Sequence, residues 1–229
     1  MSFYSNSICA LLGLLLLTAC ERAPLPERVH FAFLIPLSIS PAADTVARGD
    51  TLWLTANFSD SLLDLRSHRR YHLPPKDIKI YTNVGFKHLV GAGQFYEGAA
   101  ARFRVVNRVG QLRPVGGIFG RLDLVHDGQH YRARIGIIPQ VVGVYALSFF
   151  PTFDSPIGPD NPLPFLHLPP DGNGDSRVAV LDDMYYVVND GNTHFALQRL
   201  NNYVRSDKPG ATEGTEYYET KGTYTFAVR

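Results

Sequence analysis

The chain alternates between short apolar runs and turn-rich breaks, with a period of two far more often than a period near 3.6. Val29 to Ser40 (VHFAFLIPLSIS) is apolar and rich in β-formers, and Pro36 inside it predicts an edge strand or a bulge. A turn-rich step, Pro41 to Asp50, follows it. Thr51 to Phe58 (TLWLTANF) then alternates toward a core and assigns Trp53, the only tryptophan, to that core. Asp77 to Asn83 and Arg102 to Arg108 read as further strands. Arg121 to Ile138 reads as a hairpin turning at Asp127-Gly128, a pair that suits a type I′ turn. Within its second arm Tyr131, Ala133, Ile135 and Ile137 share one face, and Arg132 and Arg134 the other. Gly143 to Phe149 (GVYALSF) and Gly222 to Val228 (GTYTFAV) repeat one pattern, Gly-x-Tyr followed by alternating apolar positions. Val178 to Asn189 is a strand pair or one long strand. One stretch, Thr193 to Arg205, has helical spacing, through Ala196, Leu200, Tyr203 and Val204, with Asn192 or Thr193 as its cap.

Nine or so short strands with turn signals between them predict an all-β, mainly antiparallel sandwich with one short helix near 193–205. Between Pro151 and Asp175 the character changes. Seven of the 16 prolines (151, 156, 159, 162, 164, 169 and 170) fall within twenty residues. A loop of that length is a functional feature or a linker. The organisation expected is a single elaborated domain over 29–229; the alternative is two units, 29–150 and 177–229.

The N-terminus carries an address. The first 19 residues have no charged side chain, and Ile8 to Leu17 (ICALLGLLLL) is a ten-residue apolar run. Ten residues are too few to span a bilayer, which takes about 20, but they suit a signal-peptide core. The run meets Leu17-Thr18-Ala19-Cys20, which resembles the lipobox of bacterial lipoproteins. That resemblance implies removal of residues 1–19, lipidation of Cys20, a Pro-stiffened tether over 20–28, and a protein held at the cell envelope by its acyl chains. Cys9 leaves with the signal, so no thiol and no disulfide remain in the mature domain. Farther along, DTVARGDTLWLTANF and GVYALSF resemble strands of immunoglobulin-like envelope domains over 29–150. The whole chain resembles lipid-anchored β proteins of the Bacteroidota.

Candidate chemistry is sparse. With 22 basic and 21 acidic residues the net charge is +1, which excludes a global attraction for nucleic acid. The charge is nevertheless segregated: net −1 over 1–59, +7 over 60–140 and −5 over 141–229. Arg102, Arg104, Arg132 and Arg134 alternate with apolar residues. If their strands are neighbours they form a basic face suited to phosphate or carboxylate ligands. Asp171, Asn173, Asp175 and Asp182 occupy positions 1, 3, 5 and 12 of a Ca²⁺ loop, although Ser176 replaces the usual Gly at position 6; the alternative is an ordinary turn. His68 and His72, and His126 and His130, are spaced as turn histidines. The late tyrosines (185, 186, 203, 217, 218 and 224) serve a core or stack on sugars. Asp182-Asp183 is a carboxylate pair whose members point to opposite strand faces, which suits neither a shared proton nor a glycosidase. No nucleophile elbow, zincin motif or phosphate loop is present. The function expected is a non-enzymatic, lipid-anchored envelope protein that binds a protein partner. The alternatives are a glycan- or ligand-binding module, with or without Ca²⁺, and an envelope hydrolase.

Overall fold

In the computed structural model the described residues are 25–229, apart from 77–78, 92–93, 97, 155–161 and 202–212. Residues 1–24, with the expected signal segment, Cys20 and the first part of the expected tether, lie outside them. Fifteen strands form in chain order. The first seven are β1 (Glu27–Ser40), β2 (Thr45–Val46), β3 (Leu52–Ser59), β4 (Ser61–Asp64), β5 (Arg70–His72), β6 (Lys79–Gly91) and β7 (Gln94–Tyr96). The next five are β8 (Phe103–Val109), β9 (Gln111–Val115), β10 (Phe119–Asp123), β11 (Val125–His126) and β12 (His130–Pro139). The last three are β13 (Gly143–Asp154), β14 (Arg177–Val188) and β15 (Thr223–Val228). Two helices, α1 (Phe195–Leu200) and α2 (Glu213–Thr220), sit between β14 and β15. No helix among the described residues is long and apolar enough to cross a membrane.

The strands make two sheets. The first runs β11-β12-β3-β1-β4-β5, with β14 also on β1 and β8 also on β12; the second runs β2-β15-β13-β6-β10-β9, with β7 also on β6. Most pairs are antiparallel, but β14 lies parallel to β1 and β15 parallel to β2. The inward faces meet in one core. Phe33, Ile35, Leu52, Leu54, Ile135 and Ile137 come from the first sheet, and Val84, Tyr145, Leu147, Phe149, Tyr224 and Phe226 from the second. This alternation is the period-two pattern of the sequence made physical: each side chain of this size contributes about 1.5–3 kcal/mol on burial.

Several elements depart from the sequence reading. Pro36 does not lie on an edge. β1 is an interior strand, and it pairs with β4 only at Phe33–Leu34 and with β3 only at Ser38–Ser40. Pro36 sits in the gap between, where a missing N–H costs no ladder bond. The Arg121–Ile138 hairpin is split, because β10 joins the second sheet and only β11 pairs with β12. Its turn is centred one residue later than expected. Asp127 and His130 close it, Gly128 has φ +106°, and Gln129 does not have positive φ, so the II′ pattern replaces I′. Asp127 instead holds the turn from its flank, its Oδ1 accepting the N–H groups of Gln129 and His130.

The two Gly-x-Tyr strands pair with each other, Tyr145 opposite Phe226 and Leu147 opposite Tyr224. The strand over 178–189 is single, as β14. Helix α1 is shorter than expected and begins after His194, which sits at φ +55°; Thr193 is no cap but donates its hydroxyl to the Thr220 carbonyl at 2.7 Å. The rest of the expected helix, including Tyr203, falls outside the described residues. Across the proline-rich stretch, Leu163 is buried and its N–H donates to Ala179 of β14. β14 and β15, which follow that stretch, add one strand to each sheet.

Candidate functional site

Three of the four arginines are positioned by strands, Arg104 by β8 and Arg132 and Arg134 by β12. β12 lies between β3 and β8, with Gly136 opposite both Trp53 and Val106, Arg134 opposite Thr55, and Arg104 opposite Ile138. Directly opposed residues share a face. Arg104, Arg132 and Arg134 therefore project from the outer side of the first sheet, and all three are exposed. Arg108 is exposed beside them as the extra residue of a β-bulge. Sequence parity alone does not reveal it, because the bulge shifts the count by one.

Trp53 also lies on this outer face rather than in the core. Arg134 covers its ring at 4.8 Å, a cation–π contact. Arg132 is paired with Asp127 at 2.8 Å.

Arg102 is elsewhere. It ends a one-turn 3₁₀ helix (Ala99–Arg102), and its guanidinium lies 4.4 Å over the Tyr96 ring. Hydrogen bonding to the Tyr145 hydroxyl, ahead of that to Tyr96, raises its pKa above the ordinary value. Tyr145 in turn donates to the Val141 carbonyl at 3.0 Å and stacks on His88 at 4.8 Å. Burial, and then the charge of Arg102, hold the His88 pKa below its ordinary value. Its Nδ1 finds no hydrogen-bond partner among the described residues. Around this cluster Val90, Tyr96, Val141 and Val142 are 54%, 50%, 38% and 56% exposed. They stand at one end of β6, β7 and β13.

The Ca²⁺ loop residues separate into two groups. Asp171, Asn173 and Asp175 form a turn in which Asp171 Oδ1 accepts the N–H groups of Asn173 and Asp175 at 2.9 and 2.8 Å. Asp182 is away on β14. There a bulge sets Leu181 opposite Phe31 and Asp183 opposite Ala32, leaving Asp182 as the extra residue. Its carboxylate is taken by Arg66 and His30, each at 2.6 Å. Burial raises its pKa, but these two hydrogen bonds outweigh burial and hold it below the usual carboxylate range. Among the described residues no three His, Cys, Asp or Glu side chains converge as metal ligands.

Two further arrangements escaped the sequence. His72 and His126, one from each histidine pair, meet at Asp60, with distances of 3.2 and 3.6 Å. Asp183 lines a cleft of about 170 Å³ with Phe150, Tyr185 and Tyr218. Burial, then the nearby Asp182 charge, push its carboxyl pKa up. Phe150 and Tyr218 stack at 4.4 Å, and Lys87 donates to the Tyr218 hydroxyl at 3.2 Å. Tyr186 and Tyr224 are core residues instead, and burial pushes the Tyr224 hydroxyl up to about 12.

Fold and surface together define an all-β sandwich with a basic sheet face and an aromatic, partly apolar end. No protein-family model matches the chain, and neither does any curated protein. Among solved structures it is similar to the human F-spondin reeler domain, with a TM-score of 0.31 and 10% identity over 72% of this chain and 94% of that one. It is also similar to a cohesin module from a Clostridium perfringens family 33 glycoside hydrolase, with a TM-score of 0.27 and 11% identity over 66% of this chain and 98% of that one. Both are β-domains.

Proposed function

We propose that the chain is a non-enzymatic, lipid-anchored envelope protein that binds a protein partner through the end of the sandwich farthest from its anchor. The observation that carries this is the placement of Val90, Tyr96, Val141 and Val142. The chain enters the fold at Glu27, at the start of β1. At about 3.3 Å per residue, the 14 residues of β1 carry it roughly 40 Å to Ser40. Ser40 pairs with Trp53, β3 continues to the end of β12 at Ile137, and Gly49 donates to Pro139. The exposed valines therefore crown the Ser40 end, while a lipid on Cys20 tethers the Glu27 end. Aliphatic side chains rimmed by an arginine stacked on a tyrosine have the composition of an interface centre, not of an ordinary surface. Lipidation and envelope location rest on the lipobox resemblance, and the lack of a catalytic motif supports a binding role.

The test places a photocrosslinking amino acid at position 142 in cells, with the same probe at Ser67 as a control and Cys20→Ala as a second background. The expected result is one discrete adduct at 142, absent at 67 and lost when Cys20 is replaced. Equal labelling at both positions, or no adduct at 142, overturns the reading.

A further inference from the structure

The outer face of β3, β8 and β12 can be considered apart from the partner reading of the sandwich end. Its outward positions are Trp53, Thr55 and Asn57 on β3, Arg132, Arg134, Gly136 and the buried Ile138 on β12, and Arg104 and the half-buried Val106 on β8, extended across β1 by Ser38 and Ser40. None of these is acidic. Asp127 reaches the face, and its carboxylate is occupied with Arg132. Gly136 gives the face its shape. A Cβ there would lie 3.3 Å from the Trp53 indole and 3.0 Å from Thr51, so glycine lets the indole lie down against the sheet. The indole in turn holds Arg134 in place, and a positioned guanidinium loses less freedom on binding than a loose one.

We infer that this face binds an acidic polysaccharide whose charges are carboxylates. Three features select that class. Arginine forks match carboxylates bidentately. The hydroxyl and amide groups of Ser38, Ser40, Thr55 and Asn57 suit the hydroxyls of a sugar, whereas a bilayer needs exposed aliphatic side chains. Arg134 and Arg104 stand four register positions apart, roughly 13 Å at about 3.3 Å per residue. A single small anion cannot serve both, and a chain with a charge on each repeat can.

The test uses the full chain in detergent, run by affinity electrophoresis through native gels containing polygalacturonate, or dextran as the neutral control. Polygalacturonate should retard the protein and dextran should not. Arg104→Ala with Arg134→Ala should raise the apparent Kd at least about tenfold, the loss of roughly one charge-assisted contact. Arg134→Lys, which keeps the charge but not the planar fork, should fall between. Arg69→Ala with Arg70→Ala removes equal charge from another edge of the sheet and should change little. Thermal melts confirm that each variant is folded. Unretarded migration in polygalacturonate overturns the inference, as does equal retardation in dextran or an equal loss in the Arg69/Arg70 variant. So does displacement of polygalacturonate by phosphatidylglycerol vesicles at equal charge.

Discussion

Asp64 and Asp183 show how a single carboxylate is used in opposite ways. Asp64 is 1% exposed, and its two oxygens accept the N–H groups of Ala32 and Ser67 at 2.9 and 2.7 Å. It fixes the loop after β4 to β1 beside the bulge that pushes out Asp182, and buried donors of this kind are costly to leave unmet. Asp183 accepts the Met184 N–H at 2.8 Å and a hydrogen bond from Tyr185, and sits in a half-buried aromatic cleft. Its pKa is raised, so the folded chain holds that proton more tightly than the unfolded chain does. Linkage then fixes the sign. Stability falls as pH rises from the ordinary carboxyl value through the raised one, and at neutral pH the ionised group is a standing cost. Asp183→Asn keeps an acceptor oxygen for the Met184 N–H and removes the charge. The variant should melt higher than wild type at pH 7, with the gain shrinking to nothing near pH 3. A lower melting temperature at pH 7, or a gain that persists at pH 3, contradicts this account.

At the scale of elements, the chain changes sheets at Gly110, between β8 in the first and β9 in the second. Gly110 has φ +71°, and a Cβ there would stand 2.5 Å from the Asp123 carbonyl oxygen. Gly116, at φ +73°, has nothing within 4 Å. Alanine at 116 should cost about 1–2 kcal/mol from backbone strain alone. Alanine at 110 adds a clash with β10 of about 1–3 kcal/mol, so the difference between the two in chemical denaturation isolates the contact. Equal losses would show that β10 yields freely. Here the reach of the sequence is plain. Alternation located β3 and the first half of β12, because each buries one face there; β13 is buried on both faces from Tyr145 to Phe149 and was found by its run of β-formers. Trp53 was misplaced on its size, although the alternation itself puts it on the face opposite Leu52, Leu54, Ala56 and Phe58; what the sequence could not show is that Gly136 on the neighbouring strand leaves room for the indole there. It missed α2, whose eight residues (EGTEYYET) are polar enough to read as a loop and are held against β13 and β14 by tertiary contacts. The basic face was legible as a condition on strand adjacency, and β8 does neighbour β12. Arg102 was not separable from it, because its partner Tyr96 arrives from another hairpin.

At the scale of the molecule, the division of labour depends on how the two ends of the chain close the sandwich. β14 lies along β1 from Glu27 to Leu37, and β15 joins β13 to β2. Residues after the proline-rich stretch thus supply Leu181, Met184, Tyr186 and Val188 to one sheet and Tyr224, Phe226 and Val228 to the other, all buried. At about 1.5–3 kcal/mol for each large apolar side chain, removing them costs as much as or more than the 5–15 kcal/mol by which whole domains are stable. A chain ending at Asp154 should therefore show no cooperative thermal transition and should expose apolar surface to a hydrophobic dye. The same pieces expressed together, 21–154 and 162–229, should recover a cooperative melt if the missing strands are what the first half lacks. A sharp, reversible transition in 21–154 alone would mean that the first unit carries a core of its own. The rigid run of β1 from tether to tip would then have to be argued again without its parallel partner. With β14 in place, β1 is hydrogen-bonded along most of its length, and under the proposed function this extended strand would hold the anchored end and the exposed valines apart.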